Sequence, residues 1–394
     1  MLIAPPLSLY VHFPWCVRKC PYCDFNSHTL HGELPQDRYV EALERDLEAQ
    51  AAHVRGRHLS SVFLGGGTPS LFAPSAIERV LAAARREFAT AEPFEVTLEA
   101  NPGTIERGRF AEYAAAGINR VSIGAQSFDP QALKALGRIH SPGDTIRAAA
   151  ELHAAGLTNF NLDLMYALPG QTPAGAVSDI EQALALAPAH LSHYQLTIEP
   201  GTVFAAAPPT LPVDDLAAAM LTECRDRLQA AGFEHYEVSA YARAGARCRH
   251  NLNYWTFGDY LGIGAGAHGK ITHASSQAIT RTVQLREPRR YLAADPRALE
   301  RKQVAAADLP FEFMLNALRL HDGFDMQVFE ERTGLDRESI RAAMQQLEAR
   351  GLLESQGTRH RPTPRGMQFL NDVLLDFLPE KPLPPQVSVL SMHS

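Results

Sequence analysis

From Leu7 to about residue 200, short runs of β-branched and aromatic residues alternate with longer segments whose apolar residues return every three or four positions. Six runs read as strands: "LSLYVHF", "SVFLGG", "FEVTLEANP", "RVSIGAQSF", "NFNLDLMYALPG" and "HLSHYQLTIEPG". Between them, "DRYVEALERDLEAQ" places Tyr39, Val40, Leu43 and Leu47 on one helical face, and "SAIERVLAAARREF" does the same with Ile77, Val80, Leu81 and Ala84. A strand followed by a helix, repeated in this way, leaves few topologies. Right-handed crossovers make the strands parallel, and the twist of such a sheet curves it toward a barrel. The chain is therefore expected to be an α/β protein built on a partial (βα)6 TIM-like barrel, with its ligands at the carboxyl ends of the strands.

That rule singles out residues. Three cysteines follow the first strand, "GGGTP" follows the second, Glu99 closes the third, Gln126 the fourth and Asp163 the fifth. Glycines and polar residues end strands for turn chemistry alone, but their coincidence at successive strands favours a built site. After about residue 270 the rhythm changes. "FEFMLNALRL", "FDMQVFEERTG" and "DRESIRAAMQQLEARG" read as helices and "LLESQGTRHRPTPRG" as a hairpin, together a smaller, mainly helical, winged-helix-like C-terminal domain. The expected organisation is a core at 1–275, a connector at 276–310, the helical domain at 311–377 and a mobile proline-rich tail at 378–394.

With 37 basic against 44 acidic residues the net charge is -7, so no overall basic field draws in nucleic acid. The candidate recognition helix "DRESIRAAMQQLEARG" balances Asp336, Glu338 and Glu348 against Arg337, Arg341 and Arg350, which disfavours a DNA-binding regulator. No apolar run reaches the roughly 18 residues of a membrane span, and "MLIAPPLSLYVHF" lacks the basic start of a secretion signal. The expectation is a cytoplasmic protein without a membrane span. Of five cysteines, three fall within eight residues, which suits thiolate–metal chemistry in a reducing compartment better than a disulfide framework.

That stretch is "CVRKCPYC", with Cys16, Cys20 and Cys23 at spacings of four and three. Two metals compete for it. Structural zinc needs a fourth donor, for which His12, His28, Cys224 and Cys248 are available, whereas an iron–sulfur cube held by three cysteines leaves one iron open to a small molecule. Neighbouring motifs have matching capacities. Gly65, Gly66 and Gly67 let a ligand approach the main chain without meeting a Cβ. Glu99 can accept hydrogen bonds from an amine or from ribose hydroxyls, although a lone glutamate there is as often structural. Arg138, in "LGRIH", offers a forked donor matched to a carboxylate, although a single arginine is more often a surface charge.

"YVHFPWCVRKCPYCDF" followed by "GGGTPS" resembles the cluster and glycine motifs of the radical S-adenosylmethionine superfamily, in order over residues 7 to about 270. The resemblance implies a [4Fe-4S] cluster on Cys16, Cys20 and Cys23, with S-adenosylmethionine chelated at the open iron. It further implies that Tyr10, Gly66 and Glu99 contact that S-adenosylmethionine. Gly67, Thr68, Gln126, Arg138 and Asp163 match a second S-adenosylmethionine pocket of oxygen-independent coproporphyrinogen III oxidases. From those oxidases the chain departs twice: Phe25 stands where they have a further cysteine, and only nine residues precede Tyr10 where they have a longer extension.

"CDFNSH" and "RHNLNYW" are instead similar to the HemW branch of the oxidase-like family, heme chaperones with an HNxxYW signature. That match assigns His250, Asn251, Tyr254 and Trp255 to heme, with the histidine on iron and the aromatics over the macrocycle, and ranks Cys248 second as a ligand. Read from the residues alone, a histidine beside an asparagine and aromatics is more often a satisfied structural group. The function implied is a chaperone that binds heme and hands it to an acceptor protein. The runner-up is radical decarboxylation of coproporphyrinogen III, and a homodimer stays open. "GAGAHG", Gly264 to Gly269, formally fits a dinucleotide motif, but no amphipathic helix follows it.

Overall fold

The computed structural model describes residues 1–103 and 108–379. Six strands form its centre: β1 (Leu7–Phe13), β2 (Leu59–Gly66), β3 (Thr90–Ala100), β4 (Arg120–Gln126), β5 (Phe160–Tyr166) and β6 (His190–Gln195). They are neighbours in that order and every pairing is parallel. The crossovers carry α1 (Gln36–Ala51), α2 (Pro74–Glu87), α3 (Phe110–Ala115), α4 (Pro130–Ala135), α5 (Pro142–Ala154) and α6 (Pro173–Ala185). Proline opens α2, α4, α5 and α6, at a position whose N–H would have no helical partner anyway. The apolar faces read from α1 and α2 are the ones buried.

Successive side chains of a strand point to opposite faces, and here the two faces differ in chemistry. Leu7, Leu9, Val11 and Phe13 of β1 and Val96 and Leu98 of β3 join the helix faces in one large apolar core. The opposite parity is polar and fills the barrel lumen. Ser8 Oγ meets Ser61 Oγ at 2.8 Å, Ser122 Oγ donates to Asp163 at 3.0 Å, Asn161 Nδ2 donates to Ser122 Oγ at 2.8 Å, and His190 Nδ1 lies 2.7 Å from Asn161 Oδ1. Asp163, expected at the end of its strand, sits in the middle of β5, where its parity aims it inward.

The sheet continues beyond the six. After α7 (Asp214–Ala230), β7 (Glu234–His235) and β8 (Ala240–Ala242) add antiparallel strands beside β6. A helix α8 (Arg249–Trp255) leads to β9 (Asp259–Ile263), which pairs parallel with β1. Next, β10 (His268–His273), β11 (Ala278–Val283) and β12 (Glu300–Gln303) extend that edge antiparallel. The segment 276–310, expected as a connector, thus contributes two strands to the main sheet. Its helix α9 (Pro288–Ala293) docks on α1, the Tyr291 hydroxyl donating to buried Asp46 at 2.8 Å.

The remaining described chain carries α10 (Leu309–Ala317), α11 (Met326–Thr333) and α12 (Glu338–Ala349), then a hairpin of Leu353–Gln356 and Arg359–Pro362. Phe313, Phe329, Ile340, Met344 and Leu347 form its core, and Leu2, Phe257 and Ile279 reach into that core from the barrel side. Of the tail expected at 378–394, residues 380–394 lie outside the described residues. Among the described residues no helix is long and apolar enough to cross a membrane.

Candidate functional site

Cys16, Cys20 and Cys23 lie just past the carboxyl end of β1, on a loop that its own polar groups hold in place. Trp15–Cys16 pairs with His28–Thr29 in a two-residue parallel ladder. Lys19 Nζ donates to the carbonyls of Phe25 and Ser27 at 3.0 and 3.1 Å, and Asn26 Nδ2 donates to those of Ala265 and Arg286, both at 2.9 Å. The glycines of "GAGAHG" serve this seat: Gly266, at φ +80°, lies so close to the Asn26 amide that a Cβ would displace it.

None of the three cysteines is in a disulfide, and each thiol has a different hydrogen-bond partner. Thr68 Oγ1 donates to Cys16 Sγ at 3.5 Å, Arg138 Nη1 to Cys20 Sγ at 3.6 Å, and Ser27 Oγ lies 3.5 Å from Cys23 Sγ. Asn101 connects the first two. Its Nδ2 donates to Thr68 Oγ1 at 2.9 Å while its Oδ1 accepts from Arg138 Nη2. Burial pushes the Cys16 thiol up, opposed by the Thr68 hydroxyl. A bound metal would reverse that preference, because coordination favours the thiolate.

The loop closes over a cavity of about 330 Å³ lined by all three cysteines together with Gly66, Gly67, Glu99, Gln126, Arg138 and Asp163. Gly66 has φ +114°, and a Cβ there would fall 2.5 Å from the His12 ring. Its N–H donates to Glu99 Oε2 at 2.9 Å, and the Gly67 N–H donates to the Phe13 carbonyl at 2.7 Å. Burial, reinforced by neighbouring Asp163, pushes the Glu99 carboxyl up to about 7. Burial also raises Asp163, against hydrogen bonds from Asn161 and Ser122. Two carboxyl groups facing one small cavity favour a ligand that brings donors or positive charge. The Nε of Arg138 is buried and has no hydrogen-bond partner among the described residues, a donor still to be satisfied.

Two of the residues matched to S-adenosylmethionine stand outside this cavity. Tyr10 lies lower in the lumen, its hydroxyl 2.7 Å from His12 Nδ1 and its ring 5.5 Å from that of Phe63. Thr68 lines a smaller cavity of about 120 Å³ that shares Cys20, Asn101 and Arg138 with the main one. Conversely, Asn101, Ser122 and Tyr194 line the main cavity without having been singled out. Their signal was parity: Asn101 follows Glu99 by two residues, and Ser122 precedes Gln126 by four.

The HNxxYW residues lie elsewhere. They form α8, whose first turn enters the opposite, amino-terminal end of the barrel. His250 is 5% exposed, its ring stacked on Phe63 at 4.1 Å and its Nδ1 3.1 Å from Glu95 Oε1. Glu95 and Thr97, the β3 residues beside His250, precede Glu99 by four and two residues, so His250 lies about two to four strand residues, roughly 7 to 13 Å, below Glu99 along β3. Burial opposes ionisation of both partners, yet Cys248 and Glu95 carry His250 up to about 9, and His250 with Arg120 carries Glu95 down to about 2. Tyr254 packs edge-on to Tyr260 at 4.8 Å, Trp255 lies beneath the Arg319 guanidinium at 4.2 Å, and Asn251 is half-buried. As folded, this group is closed: the cysteine cavity and the HNxxYW helix occupy opposite ends of one barrel.

The Radical SAM superfamily model matches residues 10–187, and that of the HemN C-terminal domain matches residues 304–369. The chain is 48% identical over 381 residues to heme chaperone HemW of Escherichia coli (strain K12), spanning 96% of this chain and 100% of that protein. It is 44% identical to heme chaperone HemW of Haemophilus influenzae, over 96% of this chain and 99% of that one. For the Mycobacterium tuberculosis (strain H37Rv) protein of the same name the figures are 37% identity and 95% of each chain. In fold it resembles the coproporphyrinogen III oxidase HemN of Escherichia coli, a radical SAM enzyme, with TM-score 0.79 and 24% identity over 95% of this chain and 90% of that one. Similarity that runs the full length of several relatives, on a barrel of this topology, makes the chain a member of the HemW family within the radical S-adenosylmethionine superfamily.

Proposed function

We propose that this chain is a heme chaperone: it binds heme, carries a [4Fe-4S] cluster with S-adenosylmethionine, and passes heme to an acceptor protein. The observation that carries the reading is the near full-length identity to proteins named heme chaperone HemW, 48% and 44% for two of them. The local chemistry agrees with it. Cys16, Cys20 and Cys23 would hold the cluster, whose open iron, when present, would chelate S-adenosylmethionine and exchange single electrons. Glu99 is suited to accept from an amine or ribose hydroxyl, and Arg138 to donate to a carboxylate while it also holds Cys20. Gly67, Gln126 and Asp163 share that cavity, which supports one S-adenosylmethionine site more directly than two. Thr68 acts through the Cys16 sulfur and Tyr10 through His12.

Phe25 is 59% exposed at the mouth of this cavity, an apolar surface group where the oxidases have their further cysteine. For heme to use His250, α8 must leave its seat, so heme must bind the displaced state more tightly than the closed one. Anaerobic reconstitution followed by iron, sulfide and heme analysis on one sample tests the reading. About four irons and four sulfides per chain with stoichiometric heme are expected. One zinc per chain without sulfide, or no heme uptake, would overturn it. Protoporphyrinogen formation in an anaerobic assay would transfer the function to the oxidase class.

A further inference from the structure

At the base of the barrel, one imidazole nitrogen faces more partners than a proton can serve. His250 Nδ1 lies 3.1 Å from Glu95 Oε1, 3.1 Å from Cys248 Sγ and 3.4 Å from Thr97 Oγ1, and Cys248 Sγ lies 3.8 Å from Glu95 Oε1. Glu95, Cys248 and His250 are all buried, and their candidate ligand atoms fall within 4.8 Å of one another. A ring nitrogen carries one hydrogen at most, so it satisfies one of these neighbours at a time. A cation satisfies them together.

We propose that Glu95, Cys248 and His250 form a binding site for a bare divalent cation of the zinc or ferrous class, distinct from the cysteine cavity. Imidazole nitrogen, thiolate and carboxylate are the donors such ions take. With metal–ligand bonds of about 2.0 to 2.3 Å, a tetrahedral centre has donor–donor edges of about 3.3 to 3.6 Å. The separations of 3.1, 3.1 and 3.8 Å straddle that range, so small rotations of these side chains complete the site. A fourth position remains for water or Thr97.

The surroundings hold the ligands in place. The Glu95 carboxylate accepts from the backbone N–H groups of Arg249 and His250 at 3.1 Å, and Phe63 stacks on the imidazole. The Cys248 N–H donates to the Tyr236 hydroxyl at 3.3 Å, which lies 2.8 Å from His190 Nε2. Such outer contacts orient metal ligands. Charge also balances. A divalent ion held by one carboxylate, one thiolate and a neutral imidazole leaves no net charge in a group shut away from water.

The arrangement fits a bare ion better than a heme iron. A porphyrin leaves its iron two axial positions on opposite faces, whereas here three donors converge on one point. Because Glu95 belongs to β3 and Cys248 and His250 to the start of α8, the ion would pin that helix to the barrel. It would also exclude heme from His250 while bound.

The test uses protein produced with cobalt in the growth medium and loaded with its cluster anaerobically. About one cobalt per chain is expected, falling at least about 10-fold in Cys248→Ala and His250→Ala. The triple variant Cys16→Ala, Cys20→Ala, Cys23→Ala, which has no cluster absorption, should keep the cobalt and show a thiolate-to-cobalt charge-transfer band. Cys248→Ser, of nearly the same volume, should lose that band while its circular dichroism stays that of the parent. Wild-type protein without cobalt, or cobalt that survives Cys248→Ala and disappears in the triple variant, would overturn the proposal. Heme titrated into wild-type protein prepared without cobalt tests the chaperone reading separately, since no heme uptake there, with cobalt bound in the cobalt-grown sample, counts against that reading alone.

Discussion

Two residues of the cysteine cavity carry predictions of their own. The Glu99 carboxyl is poised at about 7, so in the ligand-free protein it is half ionised near neutrality. If it accepts from S-adenosylmethionine, the ionised form binds better. Affinity should therefore rise as pH goes from about 6 to about 8, by up to about tenfold, and the slope should vanish in Glu99→Gln when binding is followed by calorimetry. Arg138 donates to the Cys20 sulfur and is tied through Asn101 to Thr68 and so to Cys16. A positive donor stabilises the more negative, reduced cluster. Arg138→Gln should lower the midpoint potential by about 65 to 130 mV, taking a charge-assisted hydrogen bond as about 1.5 to 3 kcal/mol and a one-electron couple. Redox titration monitored by electron paramagnetic resonance reads this directly, and an unchanged potential would remove Arg138 from the cluster's surroundings.

At the scale of the element, the turn after β2 is the most constrained piece of backbone in the cavity wall. Gly66 combines a positive φ, no room for a Cβ beside His12, and an N–H committed to Glu99. Gly66→Ala should lower S-adenosylmethionine affinity at least about tenfold while far-UV circular dichroism is retained, because left-handed backbone costs an alanine about 1 to 2 kcal/mol and the hydrogen bond to Glu99 goes with it. The glycines, the cysteine spacing and the strand ends were legible in the sequence because each is a local requirement of a turn or a ligand. The polar lumen was harder to see. Ser122, Asn161 and Asp163 lie inside strands, where a polar residue ordinarily signals the solvent face; here the alternate parity faces the concave side of a curved sheet, whose interior is a hydrogen-bonded network. The strand β11, one in from the sheet edge, was missed for a related reason: "AITRTV" is short and alternating, and pairing on both sides makes it a strand.

On the scale of the whole molecule, the C-terminal helices are coupled to the base of the barrel. Phe313 is fully buried, packs edge-on against Phe257 at 5.7 Å, and shares a core with Leu2 from the start of the chain. Arg319 covers Trp255 of α8 at 4.2 Å. Phe313→Ala should cost about 3 to 5 kcal/mol in chemical denaturation, as a large cavity does, and should increase proteolytic cutting around α8. Stability loss without new cleavage there would show that the helix is held by the barrel alone, through Glu95.

The sequence by itself determined the alternation of strand and helix, the cysteine loop, the glycine turn and the family motifs, because periodicity and spacing are local properties that no distant contact has to complete. Only the tertiary structure decided that Tyr10 and Thr68 stand outside the cysteine cavity. It also decided that α8 plugs the far end of the barrel with His250 bound to Glu95, more than 150 residues away in the chain. Such pairings depend on which strands become neighbours and which parity faces inward, and both are settled only when the whole sheet has assembled and curved.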